Sequence, residues 1–287
     1  MSKIIKRSEP LNKHTTLKCG GKAAFFAWAQ GIDELKLLLG AAEKNKLPVR
    51  IIGAGSNILA VDKLKRSLVI KLSGKDFEKL EFIGNRVYAG AAMPVQKLIL
   101  RCRSKGLGGL EFLSGIPASV GGALAMNAGA WGENTSNLVE CLLVMDYNGK
   151  IRNLERKNIK FSYRNSGLKK YIILGCSFLL KKKSPKEISR ALKSNMRKRR
   201  LRQDLTNPSA GCIFKNPQND YAGRLIESCG LKGKQIGGAQ ISERHANFII
   251  NKDNAKSSDI LKLIKLACDE VRKEFGIKLE MEIEIWR

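Results

Sequence analysis

Between Gly106 and Gly132 the chain reads GLGGLEFLSGIPASVGGALAMNAGAWG. Glycine recurs at 106, 108, 109, 115, 121, 122, 129 and 132, and no helical or alternating period fits the stretch. Glu111 is its one charged residue, so it is not a polar, disordered linker either. A long apolar run of small residues means backbone packed closely against something. Structureless loops of this length inside a compact domain usually carry function. Gly121 and Gly122 remove side chains where a flat ligand would lie against backbone, and Asn127 adds a polar handle. The alternative is a tight structural loop.

The segments on either side show ordinary patterning. Leu35, Leu38, Leu39 and Ala42 follow helical spacing after Asp33, a candidate N-cap. Val49–Ile52 and Ser67–Leu72 read as strands, and Glu81–Ala89 as a hairpin turning at Gly84-Asn85. Pro94–Lys105 reads as a helix stopped by Gly106. Asn148-Gly149 marks a second hairpin between Leu138–Tyr147 and Ile151–Leu154. Tyr171–Leu180 has the look of a buried strand. Ser184-Pro185-Lys186-Glu187 opens a helix with capping-box spacing, and a domain boundary is expected there. Helices over Tyr221–Ser228 and Ser258–Phe275 flank a strand at Asn247–Ile250. From Leu279 to Trp286 apolar and acidic residues alternate, with Glu280, Glu282 and Glu284 on one face.

Bulk properties narrow the class. The 287 residues suffice for two or three packed units. No apolar run is long enough to span a bilayer. The start, MSKIIKRSEPLNKHTT, lacks an apolar stretch after its basic residues, so a cytoplasmic protein is expected. The seven cysteines include no C-x-x-C pair, which suggests reduced, mostly buried thiols, no disulfide framework and no metal site. A net charge of +27 would attract polyanions. Most of it is scattered; the one dense cluster is Arg197-Lys198-Arg199-Arg200 with Arg202, without aromatics for base stacking.

Four further segments can carry chemistry. Ile51–Asn57, IIGAGSN, places a glycine-rich turn after a strand, where backbone N–H groups at Gly53, Gly55, Ser56 and Asn57 can cradle a pyrophosphate. A Rossmann turn would need a third glycine opening a helix, and neither is present. In Phe161–Ser166, Arg164 beside Tyr163 can hold a carboxylate, although a lone arginine is commonly a surface residue. Pro208–Pro217, PSAGCIFKNP, presents the Cys212 thiol, the Lys215 ammonium and the Asn216 amide between two prolines. The glutamate face of the last strand offers three equivalent carboxylates.

Taken in order, IIGAGSNIL, GLEFLSGIPASVGGALAMNAGAWG, FSYRNS, PSAGCIFKNP and LEMEIEIW resemble the UDP-N-acetylmuramate dehydrogenase family, also called UDP-N-acetylenolpyruvoylglucosamine reductases. The resemblance runs from about Asn12 to Arg287. It implies an α+β protein: an FAD-binding fold of the vanillyl-alcohol-oxidase type in two α+β subdomains, expected over 1–75 and 76–185, and a C-terminal α+β substrate domain over 186–287. The chain is similar to the shorter subtype that lacks an extra tyrosine-bearing substrate loop. By this resemblance FAD lies on Gly53, Gly55, Ser56, Asn57, Gly115, Ile116, Pro117, Ser119, Val120, Gly121, Gly122 and Asn127. Arg164, Cys212 and Glu282 are the implied catalytic residues, and Tyr163, Lys215 and Asn216 contact substrate. Two residues depart from the family pattern: Ala54 where glycine is common, and Cys212 where serine usually donates the proton. A free thiol, with a pKa of about 8.5, is mostly protonated at neutral pH and is a stronger acid than a hydroxyl, so the exchange keeps a proton donor.

The implied reaction is NADPH-dependent, FAD-mediated reduction of a UDP-N-acetylglucosamine enolpyruvyl ether, a step of peptidoglycan precursor synthesis. The expected partners are that UDP-sugar and NADPH. A monomer is expected, with no nucleic acid required and no membrane insertion. Two other readings are a flavin oxidase of the same fold acting on an alcohol or 2-hydroxy acid, and a basic nucleic-acid-binding protein using Arg197–Arg202. The first would use O2 instead of NADPH. The second would be colourless and leaves the glycine-rich segment unexplained.

Overall fold

The structure, a computed structural model, describes residues 5–287. The first four residues of the N-terminal stretch read above for a leader lie outside them. The chain divides into two compact units: 5–7, 25–54 and 66–197 form one, while Ser8–Ala24, Gly55–Lys65 and Lys198–Arg287 form the other.

The first unit contains two larger sheets, besides two short two-stranded ones. One runs in the order Ile5–Pro10, Lys22–Ala29, Leu68–Leu72, Val49–Ile52. Its last three strands are parallel, in the register Phe25 to Leu68 and Val49 to Leu68. Parallel neighbours need a crossover, and the helix Ile32–Lys44 supplies it, burying Leu35, Leu38, Leu39 and Ala42. The expected apolar stripe is therefore present, but its cap is Gly31, not Asp33. The carboxylates of Glu34 and Asp76 take the donors at this end, from the N–H groups of Gln30 (2.8 Å) and Ile32 (3.0 Å).

The second sheet has five antiparallel strands in the order Ile151–Glu155, Val139–Asp146, Tyr171–Leu179, Arg86–Gly90, Leu80–Ile83. Both sequence-predicted hairpins are present. Ile83 pairs with Arg86 across Gly84-Asn85, and Met145 with Ile151 across Asn148-Gly149. Gly149 takes the positive φ of +82° that such a tight turn asks of glycine. One apolar core, from Ala27 to Leu180, serves both of the larger sheets.

The segment 106–132 corrects the expectation of neither helix nor strand. It contains a helical turn, Glu111–Leu113, and a short helix, Val120–Ala125. Two glycines in six residues oppose a helix by about 1 kcal/mol each. Tertiary bonds outweigh them: Val120 N–H donates to the Met93 carbonyl and Gly121 N–H to that of Ala91, both at 2.9 Å. The Ser119 hydroxyl, as N-cap, accepts from Gly122 N–H at 3.2 Å.

The second unit holds an antiparallel sheet ordered Ser209–Cys212, Phe248–Asn251, Ala239–Ile241, Gln235–Ile236. Helices Ala222–Ser228 and Ser257–Phe275 cover it. Leu17, Cys19 and Leu59 are part of its core. Ile58–Ala60 is a strand, in keeping with the poor helix signal there, and it pairs in parallel with Glu284–Trp286. The alternation expected from Leu279 to Trp286 is only partly realised. Ile283 and Trp286 are both buried, which breaks the two-residue period, and the regular strand is confined to its last three residues. Among the described residues no helix is long and apolar enough to cross a membrane.

Candidate active site

In the first unit the glycine turn after Val49–Ile52 lies against the start of the short helix. A methyl added at Gly53 would sit 2.5 Å from the Ser119 hydroxyl. A Cβ at Gly121 would stand 2.9 Å from that of Ala91, and one at Gly122 3.3 Å from Ser119 Oγ. The missing side chains of Gly121 and Gly122 therefore make room for protein. The preceding loop is held by Gln96, whose Nε2 donates to the carbonyls of Leu113 (3.1 Å) and Ile116 (3.0 Å), while its Oε1 accepts from Gly115 N–H at 3.4 Å. Gly115 has φ +77°. Ile116 is half-buried and Pro117 exposed.

Beyond the short helix, Asn127 is buried and left-handed at φ +41°. Its amide Nδ2 donates to the Ser162 carbonyl at 3.0 Å. Ser162 and Asn165 exchange backbone hydrogen bonds of 2.8 and 3.2 Å around Tyr163 and Arg164. Arg164, itself at φ +55°, donates from Nη1 to the Gly129 carbonyl at 3.1 Å. Its guanidinium lies 5.3 Å from the centroid of the Tyr163 ring. Three of the expected residues thus share one small constellation.

In the second unit, Gly55 has φ +66° and closes on the N-terminal segment. A Cβ there would fall 2.0 Å from the His14 carbonyl oxygen and 2.8 Å from Thr15 Cα. Thr16 N–H donates to the Gly55 carbonyl at 3.1 Å, and its hydroxyl to that of Ser209 at 2.7 Å. Asn57 follows after the half-buried Ser56. Asn57 Nδ2 donates to the Glu282 carbonyl at 3.0 Å, and Glu284 N–H to the Asn57 carbonyl at 2.9 Å. Phe214 and Met281 are bridge partners, and Glu282 N–H donates to the Ile213 carbonyl at 2.8 Å. The glycine turn, the Cys212 strand and the glutamate segment are therefore stitched together by main-chain bonds. Sequence periodicity left three glutamates equivalent; the structure separates them, with Glu282 half-buried and Glu280 and Glu284 exposed. Lys215 pairs with Glu280 at 3.1 Å, and Asn216 Oδ1 accepts from Ala222 N–H at 3.2 Å.

Several supporting residues escaped the sequence reading. Asn247, 2% exposed, clamps the Cys212 strand by accepting from Phe214 N–H (2.9 Å) and donating to its carbonyl (2.8 Å). Thr15 is buried, and its hydroxyl has no hydrogen-bond partner among the described residues. Its signal was the polar Thr-Thr pair just before Cys19-Gly20-Gly21. Gln96 and Asn247 sit in an ordinary helix and at the edge of a strand, and only the fold reveals them.

All seven thiols are free, and fewer are buried than expected: Cys19, Cys102 and Cys176 are buried, while the other four are half-buried. Burial pushes the first two up to about 12 and Cys176 well above the usual thiol range. Cys212 is half-buried. The basic cluster is mostly solvated: Arg197, Lys198, Arg200 and Arg202 are exposed, while Arg199 turns inward and reaches Gln203 at 3.3 Å.

Asp204 organises the turn that leads into the Cys212 strand. Burial opposes its charge, but donors from Asn207 and Thr206 outweigh that and hold its carboxyl at about 2. The folded pKa lies below the unfolded one, so this stabilisation is full above about pH 4 and is lost as pH falls toward 2. Asp204→Asn is expected to lower stability by about 1–2 kcal/mol at pH 7. Urea melts at pH 7 and near pH 2 check it: the gap to the parent protein must shrink in acid.

Comparison with known proteins gives this geometry a context. Residues 203–286 match the model for the UDP-N-acetylenolpyruvoylglucosamine reductase C-terminal domain, and residues 23–155 that for an FAD binding domain. A UDP-N-acetylenolpyruvoylglucosamine reductase of Moorella thermoacetica is 40% identical over 97% of this chain and 92% of its own. The protein so named from Halalkalibacterium halodurans is 42% identical over 98% of this chain and 94% of its own. The crystal structure of UDP-N-acetylenolpyruvylglucosamine reductase from Thermus caldophilus superposes with TM-score 0.86 at 35% identity, covering 99% of both chains. A glucose dehydrogenase, Phl p 4.0202, shares fold alone, with TM-score 0.51 at 12% identity over 64% of this chain and 42% of its own. The expected flavin-binding architecture is borne out. With full-length relatives at this identity, and both characteristic domains in order, the chain belongs to the UDP-N-acetylenolpyruvoylglucosamine reductase family.

Proposed function

We propose that this protein reduces UDP-N-acetylglucosamine enolpyruvate to UDP-N-acetylmuramate at the expense of NADPH, with FAD as its cofactor. The carrying observation is the main-chain stitching of the Gly55–Asn57 turn to the Cys212 and Glu282 segments. Overall, the substrate double bond gains one hydride and one proton, and NADPH becomes NADP+. FAD, when bound, would supply the hydride-transfer chemistry that links NADPH to the substrate.

The residues present fit that cofactor. At Gly53 and Gly55 any side chain would collide with Ser119 or the His14 carbonyl, so these turns stay open-backboned. The buried Thr15 hydroxyl beside Gly55, without a hydrogen-bond partner among the described residues, supplies a polar group at the same turn. Gly53, Gly55, Ser56 and Asn57 would hold the pyrophosphate. Gly115, Ile116, Pro117, Ser119, Val120, Gly121 and Gly122 would line the ring system. The match over 23–155 supports assigning 1–75 and 76–185 to the cofactor, and that over 203–286 supports assigning 186–287 to substrate.

Each reacting residue has a distinct task. Arg164 stabilises negative charge that develops on the enolpyruvyl carboxylate. Glu282 orients that group. Cys212 delivers the proton to the adjacent carbon as general acid. Tyr163, Lys215 and Asn216 bind substrate. We further place the enzyme in the cytoplasm, where thiols stay reduced, as a monomer.

The test is anaerobic. Purified protein is expected to be yellow, to bleach with NADPH, and to regain colour when the enolpyruvyl nucleotide is added, with UDP-N-acetylmuramate found by mass spectrometry. Failure of NADPH to bleach it, or bleaching by an alcohol substrate in place of NADPH, would overturn the reading.

A further inference from the structure

Asn127 was expected to touch the cofactor, yet its amide is turned onto the protein. We propose that Asn127 is instead a positioning residue that fixes the Arg164 turn; the proposal rests on the role given to Arg164 above. The side chain is 6% exposed. Its Oδ1 accepts from Ser136 N–H at 3.1 Å and from the Thr135 hydroxyl at 3.2 Å. Thr135 and Ser136 are themselves 1% and 7% exposed. Its Nδ2 donates to the Ser162 carbonyl at 3.0 Å. One amide thus ties the end of the Val120–Ala125 helix, the 135–136 turn and the turn that carries Arg164.

Arg164 needs such support. A left-handed arginine costs about 1 kcal/mol or more and persists only where its surroundings impose it. Here both its ends are held by the same short stretch. Asn127 fixes the peptide through Ser162, and Gly129, two residues on, accepts from the guanidinium Nη1 at 3.1 Å. The chemistry selects asparagine. Two donors face Oδ1 and one acceptor faces Nδ2, so aspartate would set a lone pair against the Ser162 carbonyl, and leucine would strand the buried Ser136 N–H. Asparagine also tolerates the left-handed backbone found at 127.

The test uses holoenzyme of Asn127→Ala and Asn127→Asp. In Asn127→Ala, flavin content and bleaching by NADPH should be unchanged, while recolouring by the enolpyruvyl substrate slows about 100-fold, in kcat more than in KM. Amide hydrogen exchange over residues 162–165 should quicken before any substrate is added. Placed on an Arg164→Gln background, Asn127→Ala should cost little more, because the two act through one group. In Asn127→Asp, the lost rate should recover partly as the pH falls and the carboxyl gains a proton to offer the Ser162 carbonyl. Loss of flavin from either folded variant, or recolouring at the parental rate, would overturn the proposal. If Asn127→Ala does not fold, the pH response of Asn127→Asp decides. If the parent protein is not recoloured by the substrate, the functional reading fails, and the exchange rate of the 162–165 amides alone decides the positioning role.

Discussion

Replacing Cys212 with alanine is expected to leave bleaching by NADPH intact and to slow recolouring by the enolpyruvyl substrate about 1,000-fold. Hydride delivery to an enol ether leaves charge on the neighbouring carbon, and the reduction completes only when a proton arrives there. The loss should be chemical, because the backbone around residue 212 is anchored without the thiol. Cys212 pairs with Phe248, Ile213 N–H donates to the Asn247 carbonyl at 2.9 Å, and the Ile213 carbonyl accepts from Glu282. None of these bonds involves the sulfur. Cys212→Ser should therefore restore turnover. Stopped-flow absorbance measures the recolouring rate of each variant. Parental recolouring in Cys212→Ala would remove this residue from the reaction.

Arg164→Gln is expected to lower kcat for the same half-reaction by about 100- to 1,000-fold while flavin binding persists. A planar guanidinium donates along two parallel bonds to a carboxylate, and its charge counts for most when negative charge is growing on that group. Glutamine is polar but uncharged, so the charge is lost. Arg164→Lys should recover only a minor part, since a point charge on a flexible stem does not reproduce the fork. The readout is the pattern across kcat and KM. A large rise in KM with kcat unchanged would show that the residue only holds substrate, and the assignment of charge stabilisation would be withdrawn.

Much of the architecture is legible in the sequence because local signals and tertiary fit agree. Asn148-Gly149 and Gly84-Asn85 fall where the hairpins turn, and Ser184 with Glu187 forms the reciprocal cap its spacing announced, at 2.8 and 3.2 Å. The misreadings occur where distant groups decide. Asp33 looked like a cap until Asp76, far along the chain, took the helix end. The Val120–Ala125 helix was hidden because its glycines disfavour helix, and bonds to Ala91 and Met93 impose it. At the site, the residue types that do chemistry stood out, but those that hold them did not. Gln96 and Asn247 are amides whose work lies in which carbonyl and which N–H they meet, and no spacing rule encodes that.

The assembly of the second unit from three separate stretches of the chain bears on how the protein is made. Leu17 and Leu59 belong to the same core as Ile213 and Ile283, and Ile58 registers with Glu284. As the chain leaves the ribosome, these early segments emerge long before their partners exist. The second unit must wait for the last strand to be synthesised, with apolar side chains from the beginning of the chain held in suspense, a window in which chaperones would find them. Nor should residues 198–287, produced alone, fold as a self-sufficient fragment, whatever their continuity in the gene.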